Sequence, residues 1–91
     1  MDLFSASCRG DVKALEEIFA SSRRFTFSQN DLNNAMQMAA ELGRVNAVKF
    51  LVSVGADIFA DKEYAMHLAC KFNHTNVIEY LFSLGSFPVK I

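Results

Sequence analysis

Cysteine is scarce in this chain, with only Cys8 and Cys70 among 91 residues. Two thiols cannot staple a secreted disulfide scaffold, and the number suits a reducing compartment. Positive charge is short as well. Nine Lys and Arg against ten Asp and Glu leave a formal net charge of −1, so no basic surplus exists to neutralise phosphates. Arg23-Arg24 is too brief a run to make a nucleic-acid footprint, and nucleic acid is disfavoured as a partner. Long apolar runs are missing too. The start, Met1 to Arg9, has no basic stretch leading into an apolar one, and no window approaches the length of a membrane span. The expected setting is soluble and cytoplasmic, with no membrane partner.

What is present is a composition that folds and a pattern that repeats. Hydrophobic residues make up 52% and charged residues 21% of the chain, far from a disordered composition. Scaling laws for a compact chain of this size give roughly 5,300 Å² exposed when folded against about 15,000 Å² unfolded; an elongated stack would bury less. Residues 31–60 align on residues 61–90 at a period of 30. Ala35-Met36 falls on Ala65-Met66, Ala39 on Ala69, Val48 on Ile78, Phe50 on Tyr80, Leu51 on Leu81, Ser53 on Ser83 and Gly55 on Gly85. A weaker upstream copy lies at offset 33, with Ala6 on Ala39, Gly10 on Gly43, Val12 on Val45, Leu15 on Val48 and Ile18 on Leu51. A period of this length means one supersecondary unit stacked on its neighbours, an architecture that presents a surface more readily than a reaction chamber.

Each copy reads as two short helices. In the third, a first helix over about Glu63–Phe72 puts Met66, Ala69 and Cys70 on one face. Asn73 stops it, as Gly43 and Gly10 stop the earlier ones, because glycine and then asparagine best tolerate the left-handed conformation that ends a helix. A second helix over about Thr75–Leu84 builds a face from Val77, Ile78, Leu81 and Phe82; Thr75 can cap it and Gly85 closes it. The second copy repeats this with Ala35, Met36, Ala39 and Ala40, then Ala47, Val48, Leu51 and Val52. Its alanines let helix pairs approach closely, while the larger aliphatics fill the space behind. In the first copy Asp11 caps Val12–Ala20, whose stripe is Leu15, Ile18 and Phe19, while Lys13, Glu16 and Glu17 face out.

Gly55-Ala56-Asp57-Ile58-Phe59-Ala60, followed by Met66-His67-Leu68-Ala69-Cys70, Asn73-His74 and Val77-Ile78-Glu79-Tyr80-Leu81, resembles the ankyrin repeat. That family runs from a glycine-alanine-aspartate hairpin through a threonine-proline-leucine-histidine turn, an alanine pair and a glycine-histidine turn to a valine-leucine helix. Tyr64-Ala65 and Asn34-Ala35 depart from it by replacing threonine-proline. The hairpin between Gly55 and Tyr64 is also short for the family, so its fingertip should be stunted, as in the compact arrays of large DNA viruses and some intracellular organisms. A host cytoplasm would then be the setting. The Phe25-Thr26-Phe27 alternation suits a short hairpin arm. The resemblance implies an all-α solenoid of three repeats, at about 1–27, 28–57 and 58–87, with 88–91 a tail or the start of a next hairpin. It further implies a protein-binding module whose concave face maps to Cys8, Arg9, Glu41, Leu42, Lys71 and Phe72, with Phe59, Asp61, Lys62 and Glu63 on the hairpin. Leu42 and Phe72 suit a partner's anchor; the plainer expectation is that both tuck under the neighbouring loop. Arg9, Glu41 and Lys71 read as a solvated rim.

Other chemistry is poorly supported. His67, Cys70 and His74, at i, i+3 and i+7, could line one face with zinc ligands, but Asn73 breaks the helix and no fourth ligand is near. The resemblance gives His67 a hydrogen bond within its repeat instead. Pairs such as Cys70 with His67, or Ser7 with Cys8, fall in elements expected to pack rather than line a cleft. Gly10, Gly43, Gly55 and Gly85 all serve turns, leaving none for a phosphate cradle. Neither catalysis, nor a metal, nor a cofactor is expected. The C-terminal end reads as uncapped, because Val77, Leu81, Phe82, Phe87, Val89 and Ile91 stay apolar where a terminal repeat turns polar. Val77, Leu81, Phe82 and Phe87 are therefore the expected contact for further repeats or a second copy, as a homodimer.

Overall fold

The structure, a computed structural model, describes residues 2–21 and 27–86. Six helices occur among them and no strand: α1 (Leu3–Arg9), α2 (Val12–Ser21), α3 (Gln29–Glu41), α4 (Val45–Ser53), α5 (Ala60–Lys71) and α6 (Thr75–Ser83). Each odd-numbered helix turns back antiparallel into its even-numbered partner, giving three helix pairs. The odd helices stack side by side in one layer and the even ones in a second, with the odd layer in closer contact. Extents of 43 × 20 × 18 Å describe an elongated stack. Its accessible surface of 5696 Å² exceeds the roughly 5,300 Å² expected of a compact chain this size.

Local chemistry fixes where the helices begin. The Asp2 carboxylate accepts from the Ser5 amide at 2.7 Å, a bond that holds its pKa below the ordinary value. Asp11 accepts from the Ala14 amide at 3.0 Å, as expected of a cap. Ser28 and Asp31 bond each other's backbone amides reciprocally, a capping box that opens α3. Thr75 does not cap α6. His74 occupies the cap position without a side-chain bond, and Asn76 takes up the Val77 amide instead, at 2.9 Å.

The helices end as the turn residues demand. At the end of α3 the Arg44 amide donates to the Ala39 carbonyl at 2.8 Å and the Gly43 amide to the Ala40 carbonyl at 3.2 Å. That pair of bonds requires a left-handed residue between them, and Gly43 has φ +73. The same closure ends α5, where Asn73 adopts φ 57.

The core follows the predicted stripes. Ala35, Met36, Ala39, Ala40, Ala65, Met66 and Ala69 are 0% exposed on the odd layer, and Leu15, Ala47, Val48, Leu51, Val77 and Leu81 are 0% exposed on the even layer. Each fully buried Leu, Met or Val stabilises the fold by about 1.5–3 kcal/mol relative to an exposed one. Alanine on the inner layer permits the close approach of α1, α3 and α5. Phe19 packs edge-on to Phe50 at 5.4 Å and tilted against Phe27 at 5.2 Å, extending the core toward the back of α4.

Between pairs, polar side chains secure the connections. Gln29 donates to the Gly55 carbonyl at 2.8 Å. The Asn33 side-chain oxygen accepts from Gln29 at 2.9 Å and from the Asp57 amide at 2.8 Å. Arg44 Nε donates to the Cys8 carbonyl at 3.0 Å. His74 Nε2, which must carry the proton, donates to the Glu41 carbonyl at 2.7 Å. These last two bonds are one device used twice, because position 44 plus 30 is 74 and position 8 plus 33 is 41.

The short link into the third pair departs from expectation. The helix was expected to start near Glu63, but α5 begins at Ala60 and passes through Asp61, Lys62 and Glu63 at φ 55, 57 and 61 before becoming right-handed from Tyr64. A non-glycine residue in that region costs on the order of 1–2 kcal/mol. The turn is held at both ends: Gln37 donates to Asp61 at 3.0 Å and the buried Ser86 hydroxyl to Glu63 at 2.8 Å. Phe25 and Thr26 of the expected first hairpin arm lie outside the described residues.

Candidate functional site

The closures of α3 and α5 place Glu41-Leu42 and Lys71-Phe72 at equivalent corners of adjacent helix pairs, in register with Cys8-Arg9 at the end of α1. Leu42 and Phe72 do not tuck under a loop: they are 46% and 44% exposed. Between them stands His74. Its ring abuts Gly43, where a Cβ would meet Nδ1 at 2.5 Å, and it stacks with Phe72 at 6.4 Å and 29°. Lys71 Nζ lies 5.5 Å over the Phe72 ring. With Nε2 bonded to Glu41, the imidazole is a fixed spacer joining Leu42 and Phe72 into one ridge. Arg9 and Lys71 are exposed and Glu41 half-buried along it.

The hairpin residues divide. Phe59 is 51% exposed, its ring edge near Gly85, and Lys62 points to solvent. Asp61 and Glu63 are engaged with Gln37 and Ser86, so their carboxylates brace the turn. Tyr64, 47% exposed beside them, was not anticipated; the helix start assumed at Glu63 hid it.

The residues expected at an end-to-end contact are not brought together. Val77 and Leu81 are 0% exposed, turned inward against the preceding pair, so neither can meet a second copy; Phe82 is 54% and Leu84 41% exposed. Phe87 lies outside the described residues. The apolar residues of α6 divide into a buried side, Val77 and Leu81, and an outer side, Phe82. His67 is exposed and its side chain makes no hydrogen bond among the described residues, contrary to the resemblance's implication. No group of three metal-ligating side chains occurs among the described residues, nor any helix long and apolar enough to cross a membrane.

This chain belongs to the ankyrin-repeat family: the family model described as ankyrin repeats, three copies, matches residues 3–90. Comparison with curated proteins and with solved structures returns no match. Ankyrin repeats are generally protein–protein interaction modules and are not in general catalytic.

Proposed function

We propose that this chain is a non-catalytic adapter that binds a partner protein through the face formed by the ends of α1, α3 and α5 and the link before α5. The observation that carries this reading is the exposed Leu42–His74–Phe72 ridge, two apolar side chains with a rigid ring between them. Interface energy concentrates in such apolar and aromatic anchors surrounded by polar groups. Arg9, Glu41, Lys71 and Lys62 form that rim, and Phe59 adds a second apolar point near the hairpin. Two free thiols, Cys8 and Cys70, suit a reducing cytoplasm.

Affinity capture with wild-type chain and with Leu42→Glu/Phe72→Glu tests the reading. Both side chains are about half exposed, so the variant should unfold at nearly the wild-type temperature. The expected result is loss of the proteins held specifically by wild type. Retention of the same set by a folded variant refutes this face.

A further inference from the structure

An open cavity of about 230 Å³ lies between the first and second helix pairs, lined by Arg9, Gly10, Gly43, Arg44, Val45 and Asn46. Arg9 and Arg44, from different repeats, both line it. Both arginines are exposed, and neither pairs with a carboxylate among the described residues. The Arg44 side chain crosses Gly10, where a Cβ would meet its Cδ at 3.0 Å. Its Nε is committed to the Cys8 carbonyl at 3.0 Å. That bond orients the guanidinium, whose two terminal nitrogens have no hydrogen-bond acceptor among the described residues.

Two cationic residues lining one cavity raise the positive potential there, which an anion would neutralise. The guanidinium fork matches a planar or tetrahedral oxyanion through paired hydrogen bonds. The backbone reinforces the arginines: α4 starts without a side-chain cap, and the amides of Asn46 and Ala47 have no acceptor among the described residues. Leu42 directly precedes Gly43 on the cavity wall, which sets the apolar ridge beside this pocket.

We propose that the Arg9–Arg44 pocket binds an oxyanion, a carboxylate or a phosphate group, carried by the partner segment whose apolar residue sits on Leu42. The identity of the carrier rests on the protein-binding reading above; the pocket itself does not. Titration of the ¹⁵N-labelled chain with inorganic phosphate, and separately with acetate, at ionic strength fixed by sodium chloride tests it by NMR. The expected result is saturable shifts confined to the Arg9 and Arg44 side-chain Nε–H groups and the Asn46 and Ala47 amides. Arg9→Gln should weaken binding about tenfold, the loss of one charge-assisted hydrogen bond at an exposed site. That variant leaves the Arg44–Cys8 bond in place, so it tests the pocket even if Arg44→Gln fails to fold. Tighter binding of phosphate than of acetate assigns the pocket to a phosphorylated partner, and equal binding to an acidic side chain. Shifts that do not saturate, or that persist unchanged in Arg9→Gln, overturn the proposal. They would leave the Leu42 and Phe72 capture result standing on its own.

Discussion

Gly43→Ala separates two effects that the turn between α3 and α4 superimposes. The backbone there has φ +73, and a Cβ would lie 2.5 Å from His74 Nδ1 and 2.8 Å from Cε1. Left-handed alanine costs on the order of 1 kcal/mol. The ring must also move, giving up its bond to the Glu41 carbonyl, a further loss of about 1 kcal/mol. The sum, about 2 kcal/mol, corresponds to a fall in Tm of roughly 8–16 °C for a domain of this size. In a His74→Ala background no ring remains to be displaced, so Gly43→Ala should then cost only the strain, about 1 kcal/mol. Gly10→Ala serves as the comparison: its φ is +69, but the atom met is the Arg44 Cδ at 3.0 Å, on a flexible side chain that can give way. Urea denaturation followed by circular dichroism on the four members of the cycle measures the coupling. An equal cost for Gly43→Ala with and without His74 would refute the claim that the imidazole is locked between the two repeats.

Asn73→Gly relieves the left-handed strain at φ 57 and should raise stability by about 0.5–1 kcal/mol in the same assay. Leu81→Ala, at 0% exposure, should cost about 2–5 kcal/mol and leave the chain largely unfolded at 37 °C, whereas Phe82→Glu, at 54% exposure, should change the thermal midpoint little. Light scattering on Phe82→Glu beside wild type reads the end-to-end alternative: a concentration-dependent dimer lost on substitution supports it, and an unchanged mass sets it aside. Asn33→Leu removes the acceptor of the Asp57 amide and should destabilise by about 1–3 kcal/mol through an unpaired backbone donor, visible as faster hydrogen exchange at Asp57.

The 30-residue period made the helix pairs, the buried stripes and the closing turns legible, because each is a local consequence of residue type: alanine at a close helix contact, glycine or asparagine where φ turns positive. The capping box at Ser28 and Asp31 is a local feature of the same kind. What could not be read was set by the stack. Whether Leu42 and Phe72 stand clear or fold under a loop depends on where the neighbouring turn runs, and His74 decides it by reaching the Glu41 carbonyl 33 residues upstream. The left-handed run at Asp61–Glu63 depends on Gln37 and Ser86, 24 and 23 residues away, and no local preference announces it. The burial of Val77 and Leu81 was hidden for a related reason: Val77, Leu81 and Phe82 are alike in hydrophobicity, and only the rotation of α6 against the preceding pair decides that the first two are buried and Phe82 exposed. Arg44 stands where the family has histidine, and only the folded stack brings it and Arg9 to the lining of one cavity.

Site-specific photo-crosslinking in cells tests the central claim most directly. A photoreactive phenylalanine analogue is placed at position 42 or 72 on the proposed face, or at exposed position 49 or 79 on the opposite layer. The account predicts a discrete crosslinked partner from positions 42 and 72 and none from 49 and 79. Crosslinks confined to 49 and 79 would contradict it, and would place recognition on the back of the stack.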